Sequence, residues 1–139
     1  MIERYTLPEM GSVWEPRNRF QKMLDVEIYA CECMAEMGII PREAFEEIKT
    51  KASFDIKRIE EIEAVTRHDV IAFLTAVGEE VGDASKYIHM GMTSSDVLDT
   101  GLSSQMKEAA ELLLARLRKL RDVLADKAVK YKKTLMVGR

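Results

Sequence analysis

From Thr93 to about Lys133 the sequence holds one unbroken helical period. Leu102, Met106, Ala109, Leu113, Leu117, Leu120, Leu124, Ala128 and Tyr131 follow one another at steps of three or four. At 1.5 Å per residue, roughly 40 residues make a rod of about 60 Å, about twice the span of a small domain. The apolar stripe of such a rod is too long for the short elements that precede it to cover. Its partners must be long helices from other copies of the chain, or from a continuation past Arg139. The apolar run Leu135-Met136-Val137 leading to Gly138-Arg139 reads as an interrupted chain rather than a polar tail.

Upstream, the pattern predicts four shorter helices. Ser12 is the expected N-cap of the first, with Pro16 in its first turn and Phe20, Met23, Leu24, Ile28, Cys31 and Met34 on its inner face; Gly38 ends it. Pro41 opens a second, with Ala44, Phe45 and Ile48 inward. Ser53 or Asp55 caps a third, with Ile56, Ile59 and Ile62 inward. A fourth runs from about Asp69 to Val81, burying Val70, Phe73, Leu74 and Val77. Gly82 to Met92 carries Gly82, Asp83, Ser85 and Gly91 and reads as a loop. The expected fold is all-α: a small helical domain over residues 1–92, then the first long helix of a bundle over 93–139. With 7 Gly and 3 Pro there are few turns to spare for a sheet, and 9 Met suit irregular packing between helices.

A net charge of -3 argues against general affinity for nucleic acid. The basic stretch Arg116 to Arg139 is read as a solvated face near a helix C-terminus, where the helix dipole favours cations. No stretch approaches the roughly 18 apolar residues of a membrane span, and the start has no signal-peptide run, so the expected compartment is the cytoplasm. Cys31 and Cys33, two apart on a helix, are poorly placed to bridge each other, which fits a reducing environment. Two His and two such Cys predict no metal site. No phosphate loop, dinucleotide fingerprint or Ser elbow is present, and no cofactor is expected.

Three places could carry chemistry. Thr93-Ser94-Ser95-Asp96 opens the long helix, and such residues serve as caps in many helices. In the lead-in His89-Met90-Gly91-Met92, Gly91 lets the backbone come close. Together with the hydroxyls of Thr93 and Ser94 and the positive end of the helix, it makes a place for a carboxylate or phosphate oxygen. Arg67-His68-Asp69 stands between two helices and offers a cation, a titratable donor and an orienting carboxylate, although a lone His is more often a satisfied surface residue. Arg4-Tyr5 is either a plain terminus or a clamp for a phosphate.

These stations resemble, in order and spacing, the amino-terminal part of the adenylosuccinate lyase family of the fumarase/aspartase superfamily. The resemblance covers the whole chain and rests on Arg4-Tyr5 followed by Trp14, on Arg67-His68-Asp69-Val70, and above all on His89-Met90-Gly91-Met92-Thr93-Ser94-Ser95-Asp96. It implies a homotetramer built on a twenty-helix bundle, a nucleotide substrate, and elimination of fumarate from adenylosuccinate and from the succinyl-carboxamide ribotide of purine synthesis. It implies Arg4 and Tyr5 at the nucleotide phosphate, Arg67, His68 and Asp69 along the pocket, Thr93 and Ser94 on a succinyl carboxylate, and His89 in support. The catalytic His and Ser of the family are expected beyond Arg139, so these residues alone are expected to be inactive. The cycloisomerase branch of the superfamily and a purely dimerising helical module are the alternative readings.

Overall fold

A computed structural model describes residues 2–138, and every described element is helical. A 3-10 turn, Glu3–Tyr5, leads to six α-helices: α1 (Pro8–Val13), α2 (Pro16–Glu36), α3 (Arg42–Lys51), α4 (Ile56–Thr66), α5 (Asp69–Val81) and α6 (Ser94–Tyr131). Arg139, the last of the basic residues, lies outside the described residues.

The opening differs from expectation. Ser12 is not an N-cap; it lies inside α1, where its Oγ donates to the Glu9 carbonyl at 3.0 Å. Pro8 starts that helix at a position where the missing N–H costs nothing. Glu15 occupies the N-cap of α2 without a side-chain bond, and Pro16 again sits in the first turn. The later boundaries follow the sequence closely. Pro41 caps α3, and Asp55 rather than Ser53 caps α4 by accepting from the Lys57 N–H at 3.0 Å. The stretch expected to be a loop contains a 3-10 turn, Asp83–Tyr87, whose Ala84 is buried.

The core gathers one face from each of α2, α3, α4 and α5 and the start of α6. Phe20, Phe54 and Phe73 form an aromatic cluster with ring centroids 5.7–6.3 Å apart, offset-stacked and edge-on as the ring quadrupoles favour. Phe45, Met23, Ile48, Ile59, Val77 and Val97 are sealed around it. On the outer side of the α4–α5 pair, Arg58 grips both carboxylate oxygens of Glu79 at 2.7 and 2.8 Å.

α6 is antiparallel to α2 and carries two seams. Val97, Gly101, Gln105 and Ala109, spaced by four, form the buried one. Gly101 lets α2 approach closely: a Cβ there would lie 3.7 Å from the Cβ of Lys22 and from the Met23 nitrogen. Gln105 donates to the Val13 carbonyl at 2.6 Å, and Glu108 takes Asn18 at 3.0 Å and Lys22 at 2.5 Å. The Lys22 ammonium, then Asn18, hold the Glu108 carboxyl below its ordinary range. Past Ala109 every residue of α6 is exposed except Leu112, which is half-buried. Leu113, Leu117, Leu120 and Leu124 form the other seam and stand 53–59% exposed. No described helix is long and apolar enough to cross a membrane.

Candidate functional site

The α4–α5 junction is a tight reversal made by two residues. Arg67 ends α4 in the left-handed region (φ 55), its N–H bonded to the Glu63 carbonyl at 2.9 Å. A non-glycine residue there costs about 1–3 kcal/mol, so the surrounding helices must impose it. His68 then caps α5, its Nδ1 accepting from the Ile71 N–H at 3.4 Å. Asp69 does not orient His68 as expected. Its Oδ1 accepts from the Val70 N–H at 2.8 Å, its Oδ2 takes the Arg19 guanidinium at 3.3 Å, and His68 Nδ1 stays 3.7 Å away, beyond hydrogen-bond reach. Helix α5 needs its first amides satisfied, and that need takes the carboxylate.

Through Arg19 this junction borders a cleft of about 330 Å³ between α2 and α6, lined by Trp14, Arg19, Met23, Leu98, Asp99 and Gln105 among others. The cleft is mostly apolar, with one cation and one carboxylate on its wall.

His89 is held by a residue the sequence reading passed over. Glu27 is 1% exposed, and both of its oxygens are spent on His89: Oε2 accepts the backbone N–H at 2.8 Å and Oε1 meets ring Nδ1 at 2.6 Å. His89 itself is left-handed (φ 63), and Gly91 (φ 75) follows two residues later. The two positive-φ residues fold the chain back so that α6 can start. A signal for Glu27 was present, because it falls on the apolar face of α2 between Met23, Leu24 and Cys31, where a carboxylate needs a reason.

Thr93 is the N-cap of α6 in a full capping box. Its Oγ1 accepts from the Ser95 N–H at 3.3 Å, while Asp96 accepts the Thr93 N–H at 2.8 Å. The Asp96 N–H goes to the Thr93 carbonyl at 3.0 Å. The cap therefore consumes most of the amides expected to be free. At this helix start, what stays available for an anion is the Ser94 N–H and the hydroxyl protons of Thr93, Ser94 and Ser95, since Thr93 Oγ1 acts as acceptor in the cap and can still donate. Capping and binding are compatible uses of the same Thr.

Arg4 and Tyr5 are elsewhere. The Arg4 guanidinium lies 4.7 Å above the Tyr5 ring, and Tyr5, 73% exposed, edges a groove with Leu7, Met10, Leu112, Leu113 and Arg116. Below it Glu9 pairs with Arg116. About eighteen residues of α6, roughly 27 Å, separate this groove from Thr93. Within one chain, then, His89 and Thr93–Ser94 are neighbours at the α6 start, Arg67–Asp69 flanks the cleft, and Arg4–Tyr5 is remote. Among the described residues no three His, Cys, Asp or Glu side chains converge in a way that would hold a metal ion.

An all-α chain whose longest helix leaves a bare apolar seam, and whose hydroxyls gather at that helix's start, has clear relatives. The family model described as Lyase matches residues 3–139, and the chain belongs to that lyase family. It is 56% identical to the adenylosuccinate lyase of Synechocystis sp. and 51% identical to that of Bacillus subtilis, in each case over all 139 residues and 32% of the relative. The chain thus spans about a third of the length of the curated relatives it matches. A crystal structure of the 3-carboxy-cis,cis-muconate lactonizing enzyme from Pseudomonas putida superposes with a TM-score of 0.89 and 33% identity, covering 97% of this chain and 32% of that one. The all-α fold expected of the superfamily is the fold observed.

Proposed function

We propose that this chain forms the amino-terminal third of an adenylosuccinate lyase that releases fumarate from adenylosuccinate, giving AMP, and from the succinyl-carboxamide ribotide of purine synthesis. Identity of 51–56% over the entire chain carries the reading. The match to the lactonizing enzyme, at 33%, makes the cycloisomerase branch the weaker alternative. In this elimination a base removes a proton from the succinyl carbon, the C–N bond breaks, and an acid protonates the departing nitrogen. Negative charge spreads onto the adjacent carboxylate, and donors fixed in advance lower that barrier most.

Thr93 and Ser94 are assigned to that carboxylate; the hydroxyl protons left over by the cap support the role. Arg67, His68 and Asp69 line the pocket, with Arg19 holding Asp69 in place, and His89 supports the same site. Arg4 and Tyr5 are assigned to the nucleotide phosphate. Their distance from Thr93 within one chain fits a site assembled from several subunits of a homotetramer, in which the bare seam of α6 is covered and residues 93–139 form the start of the bundle domain. The proton transfers are assigned to none of these residues, so the chain alone is inactive. Its assigned compartment is the cytoplasm.

Co-expression of the chain with the two thirds of the Bacillus subtilis enzyme that it does not cover tests this. A co-purifying complex is expected to release fumarate from adenylosuccinate, and Ser94→Ala is expected to lower the rate at least tenfold, which is about 1.4 kcal/mol of barrier. A stable complex without turnover overturns the reading.

A further inference from the structure

Glu27 is the one buried carboxylate among the described residues, and burial of a charge this deep is costly unless its lone pairs are filled. His89 fills them from two directions, with its backbone N–H at 2.8 Å and its ring Nδ1 at 2.6 Å. Neither contact is local: 62 residues separate the pair, and the contact ties α2 to the turn before α6. A simple tether for the turn needs only the backbone bond. The second oxygen acts on the ring.

We propose that Glu27 is a positioning residue that keeps a proton on Nδ1 of His89, leaving Nε2 as the only ring nitrogen a ligand can meet. An ionised carboxylate accepts and cannot donate, so the nitrogen facing it must carry hydrogen. The consequence holds in both charge states of the ring. When the imidazole is neutral, Nε2 presents a lone pair; when it is protonated, Nε2–H presents a donor to an anion. The hydrogen bond also fixes the ring plane, as second partners of functional histidines do. The importance of Nε2 for substrate rests on the lyase reading given above, whereas the state of Nδ1 does not.

Glu27→Gln separates the two, because the amide can keep both contacts in only one way. Its Oε1 must face the backbone N–H of His89, since turning the NH2 there would set two donors against each other. The NH2 then points at Nδ1 and requires it to be an acceptor. The swap is isosteric and leaves no polar group unpaired, so the fold is retained while the proton moves to Nε2.

Nitrogen-15 NMR of the imidazoles in the intact chain reads this directly, and only His68 and His89 contribute signals. In mildly alkaline buffer the wild-type Nδ1 of His89 is expected in the protonated range and Nε2 in the unprotonated range, and Glu27→Gln is expected to exchange them. A wild-type ring with the proton on Nε2 overturns the proposal with no variant needed. So does a variant in which only the His89 backbone amide moves, since that is what a mere tether would give. Exchange of the two nitrogens, alongside an inactive split complex in the co-expression assay, would leave this inference standing and remove the lyase reading.

Discussion

At the residue scale, the two cysteines show how differently one helix can treat the same side chain. Cys31 is fully enclosed, its Sγ 3.7 Å from the Tyr87 carbonyl, and burial followed by the nearby Glu27 charge pushes its thiol up to about 11. Cys33, two positions along, is exposed. A thiol reagent at neutral pH is therefore expected to modify Cys33 rapidly and Cys31 only on unfolding, as peptide mass mapping will show. Because the folded thiol titrates above the unfolded one, the native state holds its proton longer. This contribution to stability is complete below about pH 9 and is lost as pH climbs toward 11. A urea midpoint that falls over this window in the wild type and falls less in Cys31→Ala is the expected result. Glu27 and Arg19 illustrate what single residues hid. Both are polar side chains whose partners, His89 and Asp69, lie 62 and 50 residues away, and local pattern has no access to pairs formed across such separations.

At the element scale, helices announced by strong punctuation were legible. Asp69–Val81 appears with the expected bounds, because His68 and Gly82 frame an apolar period. The short α1 was missed, since six residues with a Gly near the end carry too little period to register. The second seam of α6 was missed for a different reason. Gly101 and Gln105 do not count as apolar, yet they are buried because a small residue and a long amide are what a close approach to α2 and the Val13 carbonyl require. That geometry predicts a graded response at Gly101. Alanine, whose Cβ would sit at ordinary contact distance, is expected to be neutral or to add up to about 1 kcal/mol from helix propensity. Leucine is expected to wedge α2 and α6 apart and cost about 1–3 kcal/mol. Urea unfolding of both variants checks it; equal stability of the two would show that the seam is looser than drawn.

At the scale of the whole molecule, the core is concentrated around α2 to α5, and more than half of α6 projects beyond it. The length of the projecting helix was legible from its leucine period alone. What covers the projecting seam was not, because a sequence lists residues without saying which surfaces meet. Leucines more than half exposed at 113, 117, 120 and 124 predict association. Sedimentation at micromolar concentration is expected to show an oligomer, and Leu117→Lys combined with Leu124→Lys a monomer that keeps its core helices by circular dichroism. A wild-type chain that stays monomeric at every concentration would remove the assembly from the picture.

α6 contains no proline, and its one glycine is pinned against α2, so the helix behaves as a single stiff beam. Pivoting about its outer end by about 2° would carry Thr93 sideways by about 2 Å, given a length of roughly 57 Å. Misplacements of about 1 Å are enough to slow an enzyme a hundredfold. On the proposed assignment of Thr93 to the substrate carboxylate, damage to packing at Leu124 would then surface as slower fumarate release, in a variant whose Thr93 and Ser94 are intact.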